Sequence, residues 1–455
     1  MKYCSRPFKQ LYVFPNGDVR ACGWTYECIG NILEKSIEEV WNSNEAELIR
    51  DTIRDGSYSL CNKVVCPYLS NDGLQDMTED EFKKKTIAEK LPTEVNAAYD
   101  YICNHSCPSC RHEMFKPNEE YIKNIKIISD KLVPVINQAD STSTDGNGDC
   151  FASPYIMDML QRIKPQRNKF LLQLETNGVL CDENHWEKIR HLDKSDIQIT
   201  VTPNSFERLS YKYLSGGHDN LNTLVKNLNF IKSLRKEGKI ERFQIAIVVQ
   251  DRNYRELPSF VQRCLEEFEC DRVIIRPIYY WFALTKEEYW FKDILNPKHP
   301  YFKEYMEILK DPIFKDERIY FWADHIHEEQ EHPYYSYKIY FDAFSKLLSN
   351  SELQKLLERK MIEKGYNNIA IYGVNENAKM LFELLKNTQI QINGFIDKYA
   401  TVKEFCGIHV DKFDTVKIDM VETVLVSNFI FLENITRDLR FLGFKGNIIP
   451  FTELL

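Results

Sequence analysis

Between residues 94 and 285 the chain alternates short apolar runs with longer stretches of helical spacing. "EVNAAYDYI", "KFLLQLETNGVL", "DIQITVTPN", "ERFQIAIVVQ" and "DRVIIRPIYYW" have the length and residue types of strands. "NLNTLVKNLNFIKSLRKEGK" repeats apolar residues at i, i+3 and i+4, as an amphipathic crossover helix does. Alternation of this kind predicts an α/β fold with a parallel sheet. Nearer the N-terminus, "CSRPFKQLYVFPNGDVRAC" holds two alternating runs around Pro15, Asn16 and Gly17, and an Asn-Gly pair in that setting predicts a hairpin. "IGNILEKSIEEVWNSNEAELIR" follows with helical spacing. The last ninety residues start afresh: "NNIAIYGVNENAKMLFELLKN" predicts strand, Gly turn and helix, and "QINGFIDKYA" and "METVLVSNFIF" predict two further strands.

At 455 residues, 43% of them hydrophobic, the chain exceeds one ordinary core and predicts several domains. Its 59 basic and 68 acidic residues give a net charge of −9 without a basic block, which argues against a nucleic-acid or anionic-membrane partner. The start, "MKYCSRPFKQLYVF", lacks a signal-peptide pattern, and no window reaches the roughly 18 apolar residues of a membrane span. A soluble cytoplasmic protein is expected. In that setting thirteen cysteines point to metal binding rather than disulfides.

Eight of the thirteen cysteines precede residue 111. Cys103, Cys107 and Cys110, in "AYDYICNHSCPSCRHEM", directly follow the first strand-like run, where α/β folds carry their chemistry. Three thiolates are one short of a tetrahedral structural zinc site, whereas an iron–sulfur cube held by three keeps one iron open. A zinc knuckle is the other reading. In the N-terminal group the hairpin brings Cys4 toward Cys22, and "CNKVVCPYL" can return Cys61 and Cys66 to the same end. Four such thiolates enclose a closed site that suits iron–sulfur or zinc. Cys28 is left over, as a substitute ligand or a packed thiol. Cys150, Cys181, Cys264, Cys270 and Cys406 are scattered and read as small buried hydrophobes.

The Cys-x3-Cys-x2-Cys spacing after a first strand resembles the radical S-adenosylmethionine (SAM) superfamily. The resemblance implies a partial (β/α)6 TIM-like barrel over residues 91–290. It also implies a [4Fe-4S] cluster on Cys103, Cys107 and Cys110, whose open iron chelates SAM and whose electron cleaves it to a 5′-deoxyadenosyl radical. Further segments match in family order. Gly146, Asn147, Gly148 and Asp149 look like the Gly-rich loop that meets the SAM amino group, with Asp149 and Cys150 where Glu-Pro is usual. Thr176, Asn177 and Gly178 end a third strand, and Thr200 and Thr202, on a fourth, fall near the SAM ribose or carboxylate. Two positions depart from the pattern: Ser109 replaces an aromatic residue, and Ser215 follows Leu214 in place of Arg, so Arg276 is the candidate cation for the SAM carboxylate. Cys150 is a candidate radical-quenching thiol; no catalytic acid is assigned.

Residues 1–90, with Cys, Gly, four residues and Cys, then Ile-Gly-Asn and a Trp-containing helix, resemble the SPASM/twitch auxiliary domain of such enzymes. This implies one auxiliary [4Fe-4S] cluster on Cys4, Cys22, Cys61 and Cys66, in a module that here precedes the barrel it usually follows. Residues 291–365 read as a helical bridging segment in which His325, His327 and His332 lack ligand spacing. Residues 366–455 look Rossmann-like, but Asn375 and Ala378 stand where the second and third fingerprint glycines would be, which counts against a dinucleotide despite Asp397. The unit resembles small domains attached to sugar-modifying enzymes, and so suggests hydrogen-atom abstraction from a sugar or sugar-linked metabolite, with flavodoxin or ferredoxin as reductant. A peptide-modifying maturase is the alternative, although no winged-helix leader-binding domain precedes the barrel; a non-catalytic iron–sulfur or zinc assembly protein is another.

Overall fold

The computed structural model describes residues 2–25, 27–63, 66, 68–69, 73–111, 113–144, 146–280, 283–322, 353–398, 400, 402–412, 421–427, 432–441 and 443–454. The chain forms two compact units, one to residue 330 and one from 331. His325, His327 and His332 lie outside the described residues.

In the first unit the strands are β1 (Lys2–Tyr3), β2 (Gln10–Val13), β3 (Asp18–Arg20), β4 (Gly30–Asn31), β5 (Gln75–Asp76), β6 (Glu94–Asn96), β7 (Ser141–Ser143), β8 (Leu171–Thr176), β9 (Asp196–Val201), β10 (Arg242–Val249), β11 (Arg272–Pro277) and β12 (Ile319–Phe321). From β6 to β12 each strand pairs in parallel with the next in the chain. That order needs a crossover between every pair, and helices supply most of them. Asn118 caps Glu119–Ile136, Ser153 caps Pro154–Arg162 and Asp182 caps Glu183–Ile189, each side chain accepting a backbone N–H of the first turn. One sheet face is aliphatic and fully buried, with Leu172, Leu174, Ile197, Ile199, Ile245 and Ile247. The alternate positions of β8 and β9, among them Gln173, Glu175, Gln198 and Thr200, are polar and only partly covered.

The N-terminal hairpin forms as its pattern predicts. Tyr12 pairs with Arg20 and Val13 with Val19, and Gly17 takes the left-handed conformation of the turn (φ +82°). The following helical run divides into Ile37–Trp41 and Asn44–Arg54, because Ser43 is extended and its hydroxyl accepts the Ala46 N–H, starting a new helix. Tertiary structure alone shows where this module attaches: β2 runs parallel to β6, with Gln10 opposite Glu94 and Tyr12 opposite Asn96. The order β12-β11-β10-β9-β8-β7-β6-β2-β3-β4 makes the cysteine-rich hairpin an extension of the seven-stranded sheet.

In the second unit, β13 (Asn368–Tyr372), β14 (Gln391–Ile396), β15 (Glu404–Phe405), β16 (Ile408–Asp411), β17 (Thr423–Val426) and β18 (Asn447–Pro450) are ordered β15-β16-β14-β13-β17-β18, all parallel except β15 against β16. The winding reverses at β13, the position where open α/β sheets form a crevice. Ile369, Ile371, Phe395 and Leu425 fill its core. Among the described residues of the whole chain, no helix is long and apolar enough to cross a membrane.

Candidate functional site

Cys103, Cys107 and Cys110 occupy the loop beyond β6. A turn closes over them, with the Cys110 and Arg111 N–H groups donating to the Cys107 carbonyl at 2.9 and 3.0 Å. The His105 N–H points at the Cys103 sulfur (3.4 Å) and the Arg111 guanidinium at the Cys110 sulfur (3.6 Å), so donors that suit thiolates are already in place. Burial pushes the free thiols up instead, Cys103 to about 11 and Cys107 to about 12, the latter also through the neighbouring thiols. Such a loop gains most from a metal that displaces the protons. Among the described residues, no three His, Cys, Asp or Glu side chains converge as ligands of a single ion.

The other predicted residues fall into two networks. In the first, Asp149 is buried and accepts the N–H groups of Phe151 and Ala152 (both 3.1 Å) on one oxygen, and the Thr176 hydroxyl (2.8 Å) and Asn177 N–H (2.7 Å) on the other. Burial still raises its pKa above the ordinary carboxylate range. Asn177 reaches on to the cysteine loop, donating to Asn104 Oδ1 at 2.6 Å and toward Cys103 Sγ at 3.7 Å. Asn147 donates to the Ala98 carbonyl (2.6 Å), and the Asp149 N–H to that of Ile102 (2.9 Å). The loop glycines serve contact within the chain: a Cβ on Gly148 would stand 2.5 and 2.6 Å from the carbonyl oxygens of Asp100 and Ile102, and one on Gly146 would overlap the Tyr12 hydroxyl. In the second network, Arg276 pairs with Glu175 and Thr202 donates to Glu175 at 3.5 Å, while Thr200 donates separately to Gln244 at 3.1 Å.

Cys150 follows Asp149 in the chain but is itself buried. It is 2% exposed, beside Cys181, and burial holds its pKa far above the usual thiol value. Ser215 donates its hydroxyl to the Lys212 and His218 carbonyls. Sequence reasoning missed Asp100, a buried carboxylate that accepts the Tyr121 hydroxyl (2.7 Å), the Ile102 N–H (3.1 Å) and the Ser153 hydroxyl. It also missed Glu175 and Tyr12. Glu175 was within reach, as an acid two residues from Gln173 on one face of an apolar strand; Tyr12 was not, because its partner lies 134 positions away.

Cys4, Cys22, Cys61 and Cys66 line one small cavity together with apolar Pro7, Trp24, Leu69 and Leu74, although no three of them converge on a single point as ligands of one ion. Burial raises Cys4 to about 12 and also raises Cys22 and Cys61. Arg6, in the same wall, donates to Gln10 (3.0 Å) and Tyr68 (3.2 Å) and offers a cation beside four potential thiolates. This donor set fits a closed four-sulfur centre. Cys28 is outside that wall; it is exposed, with its thiol on the Gly30 carbonyl at 3.1 Å. Trp24, whose N–H points at Cys22 Sγ (3.4 Å), lies 6.0 Å from the Tyr279 ring beyond β11.

Residues 4–67 match the model of SPASM, an iron–sulfur cluster-binding domain. No curated protein matches the chain. Among solved structures, Streptococcus suis SuiB bound to S-adenosylmethionine is similar at a TM-score of 0.34 and 16% identity, over 63% of this chain and 64% of that one. TYW1 with a lysine-pyruvate adduct bound gives 0.31 and 14%, over 49% and 74%. Methylornithine synthase (PylB) gives 0.30 and 12%, over 50% and 63%. The chain thus spans less than two thirds of SuiB.

Proposed function

We propose that this chain is a radical SAM enzyme. A partial barrel of the radical SAM type (β6 to β11), a SPASM auxiliary domain and a Rossmann-like C-terminal domain make up its architecture. The observation that carries the reading is the three-thiol loop at the C-terminal end of β6, tied through Asn177 and Asp149 to the next strand ends and sharing its sheet with an iron–sulfur domain.

Cys103, Cys107 and Cys110 would hold a [4Fe-4S] cluster, and Cys4, Cys22, Cys61 and Cys66 an auxiliary one. When bound, the first cluster and SAM supply a 5′-deoxyadenosyl radical that takes a hydrogen atom from a substrate carbon. The chain's own residues position these parts. Asn177 holds the cysteine loop by its amide, Asp149 ties the turn that follows the Gly146–Gly148 loop to Thr176 and Asn177 by four accepted hydrogen bonds, and the strand-end polar groups would face the reaction chamber. Asp149 is therefore a positioning residue rather than a ligand of SAM. A sugar or sugar-linked metabolite is the substrate class, because the sheet face presents amides, hydroxyls and an ion pair, groups that match sugar hydroxyls. A flavodoxin or ferredoxin would supply the electron.

The test is 5′-deoxyadenosine formation from SAM by anaerobically reconstituted, reduced protein, beside a Cys103, Cys107, Cys110→Ala triple variant. Formation lost in the variant supports the enzyme. Absence from fully iron-loaded protein, with both nucleotide sugars and candidate peptides supplied, sinks it.

A further inference from the structure

Parallel sheets normally have both faces covered, yet Gln173, in the middle of β8, is exposed, and its neighbour Gln198 on β9 is only half-buried. Water therefore reaches the polar face of the sheet. The two side chains meet there, Gln173 Nε2 donating to Gln198 Oε1 at 3.5 Å. Toward the C-terminal ends of the strands the same face carries the Glu175–Arg276 pair, whose side chains keep 27% and 22% of their exposure. Thr202 leans on Glu175 (3.5 Å), and the Arg276 guanidinium lies 5.7 Å from the Trp322 ring.

The charges of Glu175 and Arg276 offset each other, so the pair itself is not an anion site. It offers a carboxylate acceptor beside a guanidinium donor, and neighbouring hydroxyls can use both at once, one donating while the next accepts. An indole beside the pair offers a flat apolar plate to the C–H face of a ring.

We propose that the Glu175–Arg276 pair and Trp322 form a binding site for adjacent hydroxyls of an uncharged sugar ring. The proposal deepens the reading above and rests on it only for the identity of this chamber as the substrate site. Glu175 accepts one hydroxyl and Arg276 donates to its neighbour. Trp322 stacks on the ring, while Gln173 and Gln198, each with donor and acceptor, reach hydroxyls farther along the strand. The same chemistry could be met by the ribose of SAM, and the experiment separates the two.

Saturation-transfer NMR on the reconstituted full chain, without SAM or reductant, uses methyl α-D-glucopyranoside, methyl α-D-galactopyranoside and methyl N-acetyl-β-D-glucosaminide as probes. Transfer to ring protons of at least one is expected, with the Kd weakened about tenfold or more by Glu175→Gln and by Trp322→Leu. Melting curves identify a variant that fails to fold, and the other then decides. No transfer to any of the three, or unchanged binding in the folded variants, overturns the site. Loss of SAM binding in Glu175→Gln with unchanged sugar transfer assigns the pair to the cofactor's ribose and also overturns it. Because no radical step is involved, sugar binding in a protein that forms no 5′-deoxyadenosine would leave this site standing while the enzymatic reading fell.

Discussion

Gly148 passes so close to Asp100 that a β-carbon on it would stand 2.5 Å from the Asp100 carbonyl oxygen. Its φ of +47° adds a second reason for glycine, since side chains are strained there. Gly148→Ala is expected to destabilise the first unit by about 2–5 kcal/mol and to lower the iron retained by the Cys103 loop. Thermal unfolding and iron content after anaerobic reconstitution check both. A variant as stable and as iron-rich as the parent would show that the two loops are not coupled.

Asp149→Asn turns one acceptor oxygen into a donor that faces N–H or O–H groups. Burial leaves those groups no water, so the cost is about 2–4 kcal/mol. If Asp149 only positions its loop, 5′-deoxyadenosine formation should fall in step with iron content and the KM for SAM should stay unchanged. A raised KM at full iron content would make it a SAM contact instead.

Removing Cys61 or Cys66 opens the four-thiol cavity without touching the Cys103 loop. Iron per reconstituted chain should drop from about eight to about four in Cys61→Ala, and in Cys66→Ala. Cys28→Ala should leave it unchanged, because Cys28 does not line the cavity. Equal losses in all three would bring Cys28 into the ligand set.

Glu269 lies between Lys232 (2.5 Å) and Lys236 (2.8 Å), whose hydrogen bonds hold its carboxyl down to about 2. A lowered folded-state pKa means that its contribution is present above the ordinary value of 4.5 and is lost as pH falls toward about 2. The melting temperature of Glu269→Gln should therefore lie slightly below that of the parent at pH 7 and converge with it as pH falls through that window. A difference that widens on acidification would reverse the sign.

In the second unit the groups a dinucleotide would use are bound within the chain. Asp397 accepts the Val374 N–H at 2.8 Å, Asn375 accepts the Ala378 N–H at 3.0 Å, and Ser427 donates to the Tyr372 carbonyl at 2.8 Å. Millimolar NAD should shift the melting temperature of this unit by less than about 2 °C, since even a ligand with Kd near 1 mM stabilises by only about 0.4 kcal/mol. A shift of several degrees would show that the loop opens for a nucleotide.

What local physics dictates was legible in the chain. Asn16-Gly17 specified a hairpin through its turn conformation, and the apolar runs marked the strands because burial of a parallel sheet requires them, whereas the break at Ser43 that divides one helical run into two was not read. The close spacing of Cys103, Cys107 and Cys110 was equally plain, being a property of the chain itself. Contacts between distant segments were not. Nothing near Tyr12 announces its approach to Gly146, and Gln10 pairs with Glu94 only because two sheet edges meet. Glu175 and Arg276, 101 positions apart, become partners because four consecutive parallel strands bring their ends together. Asp149 shows the limit most clearly. Its position in a Gly-rich loop suggested a ligand-binding acid; its burial and the four N–H and O–H donors on its carboxylate are assembled only by the folded chain.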